Sequence, residues 1–146
     1  MTCIADANVL FPLLVQGHAA HEVAKGWWHE QSDGTVGTCL LTRLAVLRLL
    51  TNRVAMNGDP VGPNEALKAW RQLSDDPRSF HIDAEPADHD ARFVQLVSSR
   101  QPTPNLWTDA WLAASAISLD YEMTTFDRGF KSFRGLKLHL LEMPDR

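Results

Sequence analysis

Cys3-Ile4-Ala5-Asp6-Ala7-Asn8 is a short apolar run that breaks off at an aspartate just before a helical pattern begins. The same arrangement returns at Met123-Thr124-Thr125-Phe126-Asp127-Arg128. A third aspartate stands near a helix start in Trp107-Thr108-Asp109-Ala110-Trp111-Leu112. A carboxylate at the rim of a hydrophobic core is costly to keep ionised unless a cation or a donor compensates it, so the three together point to a divalent metal. In open parallel α/β sheets ligand sites form at the carboxyl ends of central strands, where acids remote in sequence can converge.

Working outward, the hydrophobic pattern predicts strands over residues 2–5, 35–39, 80–82, 121–125 and 136–140. Helices are predicted over 9–16, with Pro12 in the first turn, and over 19–31, 42–50, 65–73, 88–97 and 108–119, with one or two helical turns at 127–133. Thr42 is placed to cap the third of these, and Thr108 or Asp109 to start the last. Alternating strands and helices predict a three-layer α/β domain around a mainly parallel sheet, because parallel neighbours need crossover connections. The strand carrying Asp6 is expected to be central with the fourth strand beside it, so that Asp6, Asp127 and the Asp109 helix open on one edge.

A chain of 146 residues suits one domain, 1–146, and is long enough to bury a sizeable core. A formal net charge of −4 argues against nucleic-acid binding by bulk charge and leaves room only for a local basic patch. Two cysteines, Cys3 and Cys39, are too few for a disulfide framework. With neither a basic leader nor a long apolar stretch, a cytoplasmic protein without membrane spans is expected. A haloacid-dehalogenase-like phosphatase would want an aspartate where Asn8 stands, and a receiver domain an acid pair after the first strand. Neither pattern is present.

Asp6-Ala7-Asn8-Val9-Leu10, Asp109-Ala110-Trp111-Leu112-Ala113-Ala114 and Thr125-Phe126-Asp127-Arg128-Gly129-Phe130 together resemble the PIN-domain ribonucleases, and within them the VapC-type toxins of bacterial toxin–antitoxin pairs. Their order and spacing cover almost the whole chain. The resemblance implies a Rossmann-like sheet of five strands flanked by helices, a Mg²⁺ or Mn²⁺ site made by acidic residues, and endonucleolytic cleavage of RNA. It also implies a homodimer silenced by a VapB-type antitoxin that inserts a segment into the acidic cleft. One departure matters: the family usually places an acid, most often Glu, in the helix after the second strand, which here reads Leu41-Thr42-Arg43-Leu44-Ala45-Val46-Leu47-Arg48. The implied site then has three acids, with water or Thr42 completing the coordination. The alternative is a catalytically silent PIN-like module that binds RNA or protein.

Within such a site Asp6 and Asp127 are the expected main ligands. Asp109 binds metal directly, binds it through water, or acts as general base. Asn8 and Thr125 are candidates to orient the carboxylates by hydrogen bonds, against a reading as local turn or cap residues. Arg128, Lys131, Arg134 and Lys137 are either RNA-phosphate contacts or a solvated face. Arg43, if it stands on the side of the missing acid, is expected either to bind a substrate phosphate or to replace part of a metal's charge. His18, His21 and His29 have no partners for a zinc set and are expected on the surface, the first two facing solvent. The tryptophans are expected mostly to pack. Trp27 and Trp28, being adjacent, are not expected both to point inward, which would leave one for a groove taking an antitoxin or a second subunit.

Overall fold

In the computed structural model, which describes residues 1–145, the first strand β1 (Cys3–Ala5) is buried on both faces. That is why its sequence is a continuous apolar run rather than an alternating one. It pairs in parallel with β2 (Val36–Thr38) on one side and β4 (Glu122–Thr125) on the other, with Cys3 opposite both Val36 and Glu122. Outside these lie β3 (Ser79–His81) and β5 (Lys137–Leu140). The order β3-β2-β1-β4-β5 makes the expected mainly parallel sheet wholly parallel. It also reverses direction between β1 and β4, the switch point where the carboxyl-end loops part and leave a crevice.

Helices α1 (Ala7–Leu14), α2 (His21–His29), α3 (Leu40–Leu50), α4 (Pro63–Ser74), α5 (His89–Val97) and α6 (Leu106–Leu119) supply the crossovers. A short 3-10 turn, Arg128–Ser132, joins β4 to β5. Because successive strand residues face opposite sides, Cys3 and Ala5 pack with Val9, Leu10, Trp27, Trp28 and Trp70, and Ile4 packs with Ala110, Ala113, Met123 and Phe130. Alanines on the buried face of α6 let that helix lie close to the sheet. At Gly37 a Cβ would stand 2.9 Å from the Phe80 ring and 3.1 Å from the Cys3 carbonyl oxygen, so only glycine fits between β1 and its neighbours.

Several expectations need correction. The first helix begins at Ala7, so Pro12 is its sixth residue rather than a first-turn residue. With no amide hydrogen, Pro12 leaves the Asn8 carbonyl without its intrahelical donor. Thr42 is not the cap of α3; Cys39 holds that position, and the buried Thr42 hydroxyl accepts from the Cys39 amide and donates to its carbonyl, both at 3.0 Å. Asp109 is the fourth residue of α6, not its start. Trp27 and Trp28 both point inward, 4% and 7% exposed, with ring centroids 6.1 Å apart and the Arg78 guanidinium over Trp28. Two large rings tilted against one another fill the boundary of a single buried face, so neither is left for a groove. His18 and His21 are half-buried rather than solvent-facing: His21 Nδ1 bonds the Pro12 carbonyl at 2.9 Å and His18 Nδ1 accepts from the Ala20 amide at 3.0 Å, tying the α1–α2 corner. His29 is exposed. Among the described residues no helix is long and apolar enough to cross a membrane.

Candidate active site

As the chain leaves β1, the Asp6 amide donates to the Thr124 carbonyl at 2.9 Å, which fixes the first acid to the end of β4. The next residue of β4, Thr125, is fully buried, and its hydroxyl ties the two loops together. It donates to Asp6 Oδ2 at 2.8 Å and accepts from Asn8 Nδ2 and from the Asp127 amide, both at 3.0 Å. One donor and two lone pairs are all a hydroxyl has. Asn8 Oδ1 in turn accepts from the Phe126 amide at 3.2 Å. Asp127 caps the 3-10 turn through Oδ1, which accepts from the Gly129 amide at 2.8 Å. A Cβ on residue 129 would stand 3.0 Å from that oxygen, a tight contact that would push on the Asp127 carboxylate.

Asp109 approaches from the first turn of α6 and shares one cleft of about 390 Å³ with Asp6, Asp127 and Asn8. Its carboxyl is pushed up to about 7, first by burial and then by the negative charges of Asp6 and Asp127. Burial also raises Asp6, against the hydrogen bond from Thr125 and the amides of Ala7 and Asn8, and Asp127 raises it further. Among the described residues no lysine, arginine or histidine pairs with any of the three acids. Nor do any three acidic, histidine or cysteine side chains among them stand ready, as they are, to hold one ion. The donor set is oxygen-only, crowded and uncompensated. That suits a hard cation which keeps much of its own water and takes only one or two carboxylates directly, as Mg²⁺ does.

The opposite wall is α3, which presents Leu41, Ala45 and Arg48 to the cleft where the missing acid would be sought. Arg43 is not there. Five residues from Arg48 along an α-helix is about 140° around its axis, and Arg43 lines a separate groove beside Trp70 and His81. Thr42 also lines the cleft, but its hydroxyl is already committed to Cys39. Arg48, Asn105 and Thr108 also line the cleft and are not among the site residues expected from the sequence, although Leu41, Ala45 and Arg48 recur at helical spacing.

The basic residues separate as well. Arg128 is exposed and reaches Glu142 at 3.4 Å, and Lys131 is exposed on the 3-10 turn. Lys137 binds Asp120 at 2.6 Å at the amino edge of the sheet, away from the acids. Neither Arg128, Lys131 nor Arg134 lines the acidic cleft; Arg134 borders a neighbouring groove with Arg92 and Arg100.

The sequence model of one family, the PIN domain, matches residues 3–136. Ribonuclease VapC41 of Mycobacterium tuberculosis is 32% identical over 142 residues, covering 94% of this chain and 97% of its own length. Ribonuclease VapC29 of the same organism is 30% identical over 135 residues, covering 92% of each. Among solved structures, VapBC2 from Rickettsia felis bound to a DNA fragment from its promoter aligns with a TM-score of 0.66 at 14% identity, covering 97% of this chain and 100% of that one. Mycobacterium tuberculosis VapC20, a Sarcin-Ricin loop cleaving toxin, aligns with a TM-score of 0.62 at 18% identity, covering 93% and 99%. The parallel sheet, the matched residues and the full-length similarity agree: this chain belongs to the PIN domain family, and its sequence relatives within it are the VapC ribonucleases.

Proposed function

We propose that this protein is a metal-dependent endoribonuclease, the toxin of a VapBC-type pair, and that residues 1–146 act as one domain. The observation that carries the reading is the junction of Asp6, Thr125 and Asp127 at the sheet's switch point, with Asp109 uncompensated beside it. The VapC relatives, named as ribonucleases over nearly their whole length, support the same reaction. A cytoplasmic site of action and pairing with a VapB-type antitoxin follow from the same kinship.

In this proposal Asp6 and Asp127 hold Mg²⁺ or Mn²⁺, with Thr125 and Asn8 fixing the direction of their oxygens. The bound ion supplies neutralisation of the phosphate's non-bridging oxygens and a more acidic water. Asp109, the third carboxylate of the same cleft, is placed to take the proton of the attacking water. Arg48, on the facing wall, holds the scissile phosphate by charge and by its planar donors. Where a fourth acid is absent, the cleft thus gains a cation for the substrate. The test is incubation of structured RNA with and without Mg²⁺ or Mn²⁺. Wild type cuts only with metal, and Asp6→Asn, folded as judged by circular dichroism, cuts in neither case. Cleavage by Asp6→Asn at the wild-type rate would overturn the assignment.

A further inference from the structure

The acidic cleft does not end at the acids. Asn105, Asp109 and Asp127 also border a second hollow, whose other side carries Arg100 and Thr103. Arg100 and Ser132 then border a third, with Arg92 of α5 on one bank and Arg134, just past the 3-10 turn, on the other. The charge along this line changes sign. Three carboxylates line the first hollow, while the third is lined by three guanidinium groups and no acid. We infer that this continuous groove is the path of a single RNA strand leaving the cut site, with phosphates flanking the scissile one held by Arg92 and Arg134.

The three arginines differ in what they are free to do. Arg100 donates through Nε to the Leu96 carbonyl at 2.9 Å, through Nη1 to Ser132 Oγ at 2.7 Å, and through Nη2 to the Ser132 carbonyl. Its guanidinium lies over the Phe133 ring at 4.1 Å. It is a fixed floor that pins the turn after Asp127 to the end of α5 and leaves a charge under the groove. Arg92 uses only Nε, to Asp88 at 2.7 Å, which holds the side chain in place and leaves its terminal nitrogens for a ligand. Arg134 is exposed and makes no ion pair with the described residues. Phosphate contacts supply most nucleic-acid affinity, so a protein of net charge −4 needs such a local track to hold RNA beside three acids.

This path rests on the nuclease reading, and the experiment separates the two. Binding of a fluorescent single-stranded RNA of about twenty nucleotides is followed by anisotropy in EDTA across a salt series, independently of cleavage. Each lost phosphate contact lowers the slope of log K against log salt by about 0.7 for a single strand. The double variant Arg92→Ala/Arg134→Ala therefore loses about 1.4 of slope and binds roughly twenty-five-fold more weakly at 0.1 M salt. Arg92→Lys/Arg134→Lys recovers most of the slope. Lys68→Ala, an exposed cation on α4 outside the groove, keeps the wild-type slope. A double alanine variant that binds and responds to salt as wild type does would overturn the path even if wild type cleaves RNA. A wild type that cuts nothing but shows the slope change would keep the path and sink the nuclease.

Discussion

Removing the charge of Asp109 should stabilise the metal-free protein, and only at pH values where that charge exists. In the folded chain the Asp109 carboxyl is pushed up to about 7, against about 3.9 in an unfolded chain. A raised acid means that the folded state binds more protons than the unfolded one between these values, so stability falls as pH rises from about 4 to about 7. Three pKa units would correspond to about 4 kcal/mol, but the side chain is only half-buried and solvent screening reduces this to ~1–2 kcal/mol. Asp6, raised by its own burial, works in the same direction. Asp109→Asn keeps the shape and deletes the repulsion. Thermal unfolding in EDTA should therefore show the variant about 3–6 °C more stable than wild type at pH 8 and equal to it near pH 4. Millimolar Mn²⁺ should stabilise wild type more than the variant, because binding to the folded state alone adds stability by mass action. A variant less stable than wild type at pH 8, or a difference that does not grow with pH, would refute the placement of Asp109 among unneutralised acids.

Thr125→Val removes the hydroxyl that joins Asp6, Asn8 and the Asp127 amide, leaving buried polar groups unpaired. It is expected to cost ~1–3 kcal/mol in urea unfolding and to weaken Mn²⁺ binding, whereas Thr125→Ser retains both. Arg48→Gln should raise KM for RNA about tenfold or more with the fold intact, and Arg43→Gln, on the other side of α3, should leave KM unchanged; equal effects in a steady-state assay would contradict the geometry. Trp28→Ala opens a cavity in the core and is expected to cost ~3–5 kcal/mol, measured by denaturant unfolding.

What could be read from the residues alone was whatever depends on strand ends and on burial of both faces of a sheet. Cys3-Ile4-Ala5 and Met123-Thr124-Thr125 are short runs closed by an acid, so their place in the middle of a parallel sheet, and the place of Asp6 and Asp127 at its carboxyl edge, followed from pattern. Helix phase was harder. In α3 leucines occur all around the axis, at Leu40, Leu41, Leu44, Leu47, Leu49 and Leu50, so the pattern does not say which arginine meets the cleft. Arg48, not Arg43, faces the acids. Trp27 and Trp28 misled for a related reason: adjacency on a helix separates side chains by about 100°, but a ring is wide enough to reach the core from either flank. The start of α6 lies at Leu106 rather than at Thr108 or Asp109: the Asp109 amide already bonds the Asn105 carbonyl at 2.9 Å, while the Asn105 side chain makes no cap bond. Nothing local in the sequence announced the tie from Arg100 to Ser132, 32 residues away.

The most direct measurement is titration of Mn²⁺ into wild type and into Asp6→Asn at pH 7.5, with bound metal followed by electron paramagnetic resonance. A cation held by Asp6 and Asp127 in the acidic cleft predicts saturable binding in wild type that is lost or weakened at least tenfold in the variant. Equal binding by both proteins, or none by wild type, would contradict it.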